Sequence, residues 1–336
     1  IFAVFLPFIG VGIFIAEIIF HVQWINFLFP KKKSQNLFGI IKPAGKVKEK
    51  VLIGAHMDSA YEMPITKFGD KIASLAIIGI LYVVFIPLLA VIKTILLSVN
   101  PDLILLSETS IFAFTKIDIF FLFLSIPGFP LLLLVFYGFL GKGNAVLGAN
   151  DNLSGVGIAI ELGKFFANQE NKLQHIELWV GAFGAEECGD RGSYSFVDTH
   201  GQKGEMDNMY CLIPESAGAG NEFAILSREV MNAIDHDMET CEKLLAAYKA
   251  YEKEYMDDGP IPCKIDVLSF AGSDGAPISK GGFKATTLLG FEGRIKKPPN
   301  WHSQKDDLNN INPKMLQAAY EIFRNFIINL EKDTKN

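Results

Sequence analysis

The stretch Gly181–Asp190 limits what this chain can fold into more than any other, because an apolar run leads directly into two adjacent carboxylates. The residues before it, Ile176–Val180, are apolar apart from one glutamate and predict a strand that is covered on both faces, as in an α/β sheet. Open α/β sheets bind their ligands at the carboxyl ends of the strands. Glu186 and Glu187 therefore occupy a position where such a fold builds a site, although a lone pair of this kind is also typical of a solvated acidic turn.

Other apolar segments also lead into residues that can bind a metal ion. Glu49–His56 is a predicted buried strand, Gly148–Gly155 is a turn-rich segment before a helix, and Met209–Ile213 is a further strand. Two imidazoles with several carboxylates suit zinc, or less closely manganese or cobalt. Each residue alone has an ordinary explanation, such as a turn or a buried histidine, so the prediction depends on the whole set. That set comprises His56, Asp58, Asp151, Glu186, Glu187, Glu215 and His302.

The order of the predicted elements indicates the class of fold. Predicted strands at His21–Phe29, Asn36–Ile41 and Glu49–His56 precede a region in which strands and helices alternate. The last helix is expected to begin after Asn312, a capping residue, with Pro313 at its first position. This pattern predicts an α/β protein, a three-layer α/β/α sandwich around a mixed, mostly parallel sheet, accompanied by transmembrane helices.

Apolar residues are concentrated in two parts of the chain. Half of all residues are apolar, and the mean hydropathy is +0.27. Because about 20 helical residues cross the hydrocarbon core of a bilayer, residues 1–20 are predicted to form a transmembrane helix and residues 72–140 an inserted transmembrane hairpin. A secretory signal peptide is the alternative for the first segment, and two very hydrophobic soluble helices are the alternative for the second. Residues 21–71 and 141–336 then form the two parts of one globular domain.

The distribution of basic residues predicts the orientation in the membrane. Lysines at 31–33, 67, 71 and 142 flank the predicted spans on the side of the globular domain, against Lys116 on the other side. Since positive charges favour the cytoplasmic side, we expect an integral membrane protein with its catalytic domain in the cytoplasm. Four cysteines without CxxC spacing are typical of free thiols and agree with this location. A net charge of −6, without a long basic cluster, gives no sign of nucleic-acid binding.

Five segments, in their order along the chain, resemble the zinc-dependent exopeptidases of the M28 class. These are GAHMDS, GANDNLSG, GAEECGDRGS, SDGAPISKGG and WHSQKDDLNNI. The class contains co-catalytic aminopeptidases and their carboxypeptidase and glutaminyl-cyclase relatives. The resemblance covers about residues 35–57 and 148–330, and it leaves the predicted membrane segments outside.

The resemblance implies a site for two zinc ions. One ion would take His56, Asp151 and Glu215, and the other would take Asp151, Glu187 and His302, so that Asp151 bridges the two. The family more often has Asp at the position of Glu215, which leaves Asp207 as the alternative ligand. Asp58 and Asp306 would accept hydrogen bonds that fix the two imidazoles.

Glu186 would be the general base in this arrangement. Two cations about 3.5–4 Å apart need a shared anionic ligand, and they make hydroxide available near neutral pH. A carboxylate that binds no metal must then accept the proton and pass it to the leaving amine. Consecutive residues leaving a strand point in different directions, so Glu187 can bind metal while Glu186 faces the water.

Residues Ser273, Asp274 and Trp301 are predicted to line the substrate pocket. Ser273–Gly282 resembles a family loop in which a histidine commonly follows the Ser-Asp pair, but this chain has Gly275 there, which weakens the glutaminyl-cyclase interpretation. Trp301 could wall the substrate side chain or simply pack in the core.

The sequence thus predicts a membrane-embedded aminopeptidase that acts on peptides. The alternatives are a single-zinc glutaminyl-cyclase-like enzyme or amidohydrolase on the same fold, and a receptor or scaffold without catalysis. The sequence leaves the oligomeric state, the preferred residue at the cleaved bond and the physiological metal open.

Overall fold

The computed structural model describes residues 8–13, 15–19, 22–64, 85, 88–100, 119, 123, 130, 133, 143–269, 271–294 and 296–334. The chain divides into two compact units. The first comprises Ile1–Glu17 and Tyr61–Asn144, and the second Ile18–Ala60 and Ala145–Asn336. The strands and the α-helices named below all belong to the second unit.

The second unit is built on a mixed eight-stranded sheet. The strands are β1 (Leu37–Ile41), β2 (Glu49–His56), β3 (Ile176–Phe183), β4 (Met209–Glu215), β5 (Glu222–Glu229), β6 (Ile234–Asp235), β7 (Cys263–Leu268) and β8 (Lys284–Phe291). They lie in the order β1-β3-β2-β4-β8-β5-β6, and β7 also pairs with β5. The four strands β3, β2, β4 and β8 run parallel to one another, whereas β1 is antiparallel to β3 and β5 is antiparallel to β8. The predicted mixed, mostly parallel sheet is confirmed.

Helices cover both faces of the sheet. The α-helices are α1 (Ser154–Ala167), α2 (Arg191–Phe196), α3 (Met238–Glu254), α4 (Gly275–Lys280) and α5 (Pro313–Asp333). Alternate residues of the central strands feed two cores, so that Val51 and Ile53 pack into one and Leu52 packs into the other. The larger core includes buried residues of α1, α3 and α5, and the smaller one includes Phe196 of α2 and Ile278 of α4. Central strands covered on both faces are apolar throughout for this reason.

The capping signals of the last helix are confirmed. The Asn312 side chain accepts a hydrogen bond from the Lys314 amide at 3.0 Å, and Pro313 is the first helical residue. The strand predicted at His21–Phe29 is wrong, because Gln23 adopts a left-handed conformation and Trp24–Leu28 forms a short 3-10 helix. This apolar segment pairs with no strand among the described residues. Its apolar composition, on which the strand prediction is based, is therefore not explained by burial in the sheet.

Most of the predicted membrane segments, residues 1–20 and 72–140, lie outside the described residues. The described part of the first unit includes helical residues 8–13 and 88–99. Within the described ranges, no helix combines the length and the apolar composition that a bilayer span requires.

Candidate metal centre

The carboxyl ends of three parallel strands bring the predicted ligands to one edge of the sheet. His56 is the last residue of β2 and Glu215 is the last residue of β4, and both are buried. Glu186 and Glu187 follow in the loop after β3, the parallel neighbour of β2. Adjacent parallel strands end on the same side of a sheet, so these groups meet although they are far apart in sequence.

Asp151 lies between the two predicted histidines. It belongs to an irregular turn, Ala149–Leu153, that immediately precedes α1. One carboxylate oxygen, Oδ1, is 3.2 Å from His56 Nε2, and the other, Oδ2, is 3.3 Å from His302 Nε2. A carboxylate in this position can serve two cations at once.

Two groups of three ligands share this carboxylate. His56, Asp151 and Glu215 form one group, and Asp151, Glu187 and His302 form the other; within each, one donor atom per residue lies within 4.8 Å of the others. His302 Nε2 is 3.2 Å from Glu187 Oε2, and His56 Nε2 is 3.7 Å from Glu215 Oε1. The structure therefore brings together the complete predicted ligand set.

A third grouping competes for His56. It joins His56 to Glu186 and Glu187, and Glu186 Oε2 is 3.8 Å from His56 Nε2. The geometry alone thus allows Glu186 to be a ligand, whereas the two groups that share Asp151 leave it free.

The donor atoms fit zinc. Each of the two groups offers one imidazole nitrogen and two carboxylate oxygens, which are ordinary zinc ligands, with a fourth position left for water or substrate. In addition, Glu187 Oε1 is buried and has no hydrogen-bond partner among the described residues. A buried carboxylate oxygen without a donor is costly unless a cation neutralises it. The residues present therefore suit a metal ion better than they suit a metal-free core.

Asp58 supports the centre in a way that differs from the prediction. The His56 ring contacts the main-chain oxygen of Asp58 through Nδ1 at 3.0 Å, while the nearer carboxylate oxygen is 3.9 Å away. The carboxylate instead accepts the amides of Glu186, at 3.0 Å, and of Glu187, at 3.2 Å. Asp58 therefore fixes the imidazole through its backbone and the loop of the two glutamates through its side chain.

Asp306 holds the turn that carries Asp151. Its two oxygens accept the amides of Asn150, at 2.9 Å, and of Asp151, at 3.0 Å, and Oδ1 also accepts from Asn310 Nδ2. Asp306 thus fixes the backbone of the residue that lies between the two histidines, and its predicted contact with an imidazole stays a prediction.

Glu215, not Asp207, is the acidic residue of β4 that reaches the centre. Asp207 is exposed and precedes β4, at the strand end opposite the cluster. Asn152 donates its amide group to Glu215 Oε2 at 3.0 Å and to the Pro214 oxygen at 2.9 Å. One oxygen of Glu215 is thereby held, and the other faces His56.

Burial and mutual charge change the pKa values of the histidines and of Asp151 in opposite directions. Burial lowers the pKa of His56, but Glu186, Asp151 and Glu215 outweigh it and raise that pKa well above the ordinary value. The pKa of His302 is likewise lowered by burial and raised by Asp151 and Glu187, with a net result of about 9. Burial raises the pKa of Asp151, yet hydrogen bonds from the two imidazoles bring it below its usual range.

The remaining acids are hard to ionise together. Burial raises the pKa of Glu215 to about 7, although the neighbouring His56 opposes this shift. Burial also raises the pKa of Glu186 well above its ordinary value; His56 opposes the shift and the charges of Asp190, Glu187 and Asp274 add to it. Such crowding of carboxylates in a buried place is typical of functional sites.

The predicted pocket residues lie in different surroundings. Ser273 and Asp274 are completely buried, and the Ser273 hydroxyl donates to Glu229 Oε1 at 2.6 Å and contacts Thr287 Oγ1 at 2.7 Å. These positions do not support the prediction that Ser273 and Asp274 contact substrate. Trp301 is partly exposed and stacks on the His302 ring, with centroids 3.9 Å apart, so it remains a candidate for the pocket wall.

A histidine does approach the position of Gly275, but it comes from another part of the chain. A Cβ atom added to Gly275 would lie 3.3 Å from His236 Cε1 and 2.6 Å from Thr287 Oγ1. His236 in turn contacts Glu229 Oε1 at 3.1 Å and Ser279 Oγ at 2.8 Å. His236 therefore places an imidazole ring beside the position at which the family commonly has a histidine.

Three supporting residues escaped the sequence analysis. Asn152 holds Glu215, His236 holds Glu229, and Asp190 is a buried acid whose pKa is raised first by burial, with further contributions from Asp274 and Glu229. Asp190 also shares a hydrogen bond with Glu186. Asp190 and Asn152 carried a signal, because Asp190 ends the same Gly-rich segment as the two glutamates and Asn152 directly follows Asp151 in GANDNLSG.

Comparison with known proteins agrees with this geometry. The sequence profile described as peptidase family M28 matches residues 135–327. A search of curated proteins finds no match to the sequence.

Three solved structures show the same fold. BSAP, a zinc aminopeptidase from Bacillus subtilis, superposes with a TM-score of 0.52 at 16% identity, covering 90% of this chain and 51% of its own. A leucine aminopeptidase precursor from Bacteroides thetaiotaomicron gives 0.52 at 16% identity, covering 88% of this chain and 76% of its own. A glutaminyl cyclase from the same organism, bound to N-acetylhistamine, gives 0.53 at 15% identity, with coverages of 87% and 76%. The chain spans about half the length of BSAP.

Proposed function

Because this chain belongs to peptidase family M28, we propose that it is a zinc-dependent exopeptidase that removes amino-terminal residues from peptides. The observation that carries the proposal is the pair of ligand groups that share Asp151. Metal ions held by these residues would suit the hydrolysis of an amide bond, because they would stabilise the negative charge that develops on oxygen.

The residues around the centre divide the work. His56, Asp151 and Glu215 would hold one ion, and Asp151, Glu187 and His302 the other. When bound, zinc lowers the pKa of a coordinated water towards neutrality. Asp58 fixes the backbone of the loop at Glu186 and Glu187 by accepting both of their amides. Glu186 is then free to accept a proton at its carboxylate and to deliver it to the nitrogen of the leaving amine.

The substitution Glu186→Gln tests this assignment. It keeps the size of the side chain but removes the proton acceptor, so we expect kcat to fall by about 10²–10⁴-fold while the zinc content per chain stays unchanged. The matched variant Glu187→Gln should lose zinc as well as activity. Full peptidase activity in Glu186→Gln would refute the proposed base, and loss of zinc from that variant would assign Glu186 as a ligand.

A single-zinc enzyme of the glutaminyl-cyclase or amidohydrolase type is the second candidate. It is favoured by the surroundings of Glu215, one oxygen of which is held by Asn152 while burial raises its pKa to about 7. A protonated Glu215 would leave only Asp151, Glu187 and His302 as ligands. Zinc quantitation near one per chain, with no release of amino acids from free peptides, would select this candidate.

A receptor or scaffold without catalysis is the third function considered. The complete ligand set supports an enzyme over this candidate.

We also propose that the enzyme is membrane-embedded, with a bilayer as partner, peptides as substrates and the catalytic domain in the cytoplasm. The long apolar runs and the lysine distribution support this location. Labelling of the exposed Cys188 with a membrane-impermeant thiol reagent in intact cells that express the protein, before and after lysis, tests the orientation, because a cytoplasmic thiol reacts only after lysis.

A further inference from the structure

The segment Val22–Phe29 exposes large apolar side chains in the second unit. Five of its eight residues have between 54% and 75% of their surface exposed: Val22, Trp24, Phe27, Leu28 and Phe29. None of the residues in its 3-10 helix, Trp24–Leu28, is buried. Single exposed apolar residues are common in proteins, but a contiguous group of this size marks a surface that binds something.

This segment is fastened to the loop that carries the two glutamates. Arg191 donates from one guanidinium nitrogen, Nη2, to Asn26 Oδ1 at 3.2 Å, and from Nε to the Cys188 oxygen at 3.2 Å. Cys188 immediately follows Glu187 in the chain. The aromatic side chains are therefore attached to the edge of the sheet where the metal ligands lie.

A basic cluster continues the apolar segment. Lys31, Lys32 and Lys33 follow Pro30 directly, and all three are exposed. This local charge of +3 stands out in a chain whose net charge is −6. An anionic partner is thus favoured at this place, although the molecule as a whole would be repelled by one.

Aromatic side chains next to lysines match the chemistry of a lipid headgroup region. Tryptophan is enriched there, because its ring is amphipathic, while lysines gain attraction from anionic lipids at a distance of up to a Debye length. The sequence on the amino-terminal side, Ile1–Phe20, has Glu17 as its only charged residue, so the segment also continues an apolar run in the sequence.

We propose that residues Val22–Lys33 form a contact with the surface of an anionic lipid bilayer. Trp24, Phe27 and Phe29 enter the interfacial region, and the three lysines face lipid phosphates. The contact brings the loop Gly184–Asp190 close to the lipid surface. This inference rests on the membrane location proposed above, to which it adds the contacting residues and the lipid charge, and it does not depend on the peptidase activity.

The test measures the environment of Trp24 in the full chain. The protein is reconstituted in lipid nanodiscs of phosphatidylcholine alone, or with about one third phosphatidylglycerol, both with brominated acyl chains that quench tryptophan. The emission of Trp24 is obtained as the difference between the parent protein and Trp24→Phe. We expect bromine quenching of Trp24 that is stronger in the anionic discs and weakens with added salt.

Two sets of variants assign the quenching to the proposed groups. The triple substitution Lys31→Gln, Lys32→Gln, Lys33→Gln should remove most of the difference between the anionic and the neutral discs. The matched triple at exposed lysines elsewhere, Lys203→Gln, Lys249→Gln, Lys253→Gln, should behave like the parent. The pair Phe27→Gln, Phe29→Gln should weaken quenching in both lipids, whereas Met256→Gln, Leu308→Gln, at two other exposed apolar residues, should not.

Three results would overturn the inference. Absence of quenching in both lipids would mean that protein covers the segment, and equal quenching in both would remove the role of the lysines. Protection of Trp24 from acrylamide that depends on protein concentration, without lipid, would identify a second copy of the chain as the partner. Peptidase assays on a soluble peptide with the same samples distinguish failure of the lipid contact from failure of the proposed peptidase activity. The lysine variants should retain whatever peptidase activity the parent has.

Discussion

Two adjacent glutamates are given different surroundings by a single carboxylate. Asp58 accepts the amides of both Glu186 and Glu187 with its two side-chain oxygens. Glu187 thereby reaches His302 at 3.2 Å, while Glu186 lies 3.8 Å from His56 and also bonds to Asp190. The proposed division of roles between ligand and base thus depends on a residue two positions after the first histidine.

Asp58→Asn should weaken catalysis without unfolding the protein. An amide has only one acceptor oxygen, so one of the two loop amides loses its partner. We expect kcat/KM to fall by about 10–100-fold, the usual effect of changing a residue that orients metal ligands. The control is Asp207→Asn, which alters an exposed acid that does not reach the centre. An equal loss in Asp207→Asn would return Asp207 to the list of ligands.

The stability of the zinc-free protein should decrease as pH rises. The pKa of His302 is about 9 in the folded chain, against 6.5 for an ordinary imidazole. A histidine whose pKa is raised by folding stabilises the fold fully when the pH is below its pKa in the unfolded chain. This contribution disappears as the pH rises through its pKa in the folded chain. Two and a half pKa units correspond to about 3 kcal/mol. Glu215, with a pKa of about 7, acts in the same direction between pH 4.5 and 7.

Urea unfolding of the chelator-treated protein at pH 6 and pH 10 measures this effect. The free energy of unfolding should be lower at pH 10, and His302→Gln should reduce the difference. His175→Gln is the control, because His175 lies before β3, at the edge of the sheet opposite the cluster. Added zinc should reduce or reverse the trend, since zinc binds the deprotonated imidazole. A zinc-free protein that is more stable at pH 10 would contradict the protonated state described here.

At the scale of the elements, a glycine at the start of helix α1 allows this helix to pack closely against the strand ends at the metal centre. A Cβ atom on Gly155 would lie 2.5 Å from the Pro214 oxygen, 2.7 Å from Ala55 Cβ and 2.7 Å from Asn152 Oδ1. Gly155 therefore allows the start of α1 to approach the ends of β2 and β4, where two ligands are located.

Two glycine substitutions in the same helix should have opposite effects. Gly155→Ala must push α1 away from β4, and we expect a loss of roughly 1–3 kcal/mol, as for other overpacked sites, together with weaker zinc binding. Gly157→Ala meets no atom within 4 Å and should stabilise the protein by about 0.5–1 kcal/mol, because alanine favours a helix. Denaturant midpoints and zinc titrations of both variants check this. Equal midpoints would show that α1 can shift without cost.

The ends of the strands could be predicted from the sequence because the signals are local. Apolar runs ending at His56 and Glu215 mark both the strands and their carboxyl ends, and parallel pairing then brings the ligands together. The bonds from Asn152 to Glu215 and from Arg191 to Asn26 could not be predicted, since they join residues 63 and 165 positions apart. The strand prediction at His21–Phe29 is wrong because an apolar segment favours contact with any apolar surroundings, and its composition alone does not distinguish a sheet from other apolar surroundings.

At the scale of the whole molecule, the two parts of the second unit are joined by hydrogen bonds on either side of the segment 61–144. The Val146 amide donates to the Ala60 oxygen at 2.9 Å, and Ser59 Oγ donates to the Val146 oxygen at 2.8 Å. All three hydrophobic cores identified among the described residues consist of residues of the second unit. The second unit thus has its own core, and its chain can be closed near Ala60 and Val146.

Replacing residues 61–144 by a short Gly-Ser linker, in a chain that begins at Val22, should therefore leave a folded enzyme. The entropic cost of closing this linker is small, because a few residues suffice to join two positions that are already linked by hydrogen bonds. We expect the shortened chain to bind zinc and to cleave soluble peptides within about threefold of the parent, since His56, Asp151, Glu186, Glu187, Glu215 and His302 all belong to the second unit. Glu186→Gln in the shortened chain is the control and should abolish the activity. A shortened chain that folds and binds zinc but cleaves nothing would show that the first unit contributes to catalysis, and one that fails to fold would show that the core of the second unit is not sufficient.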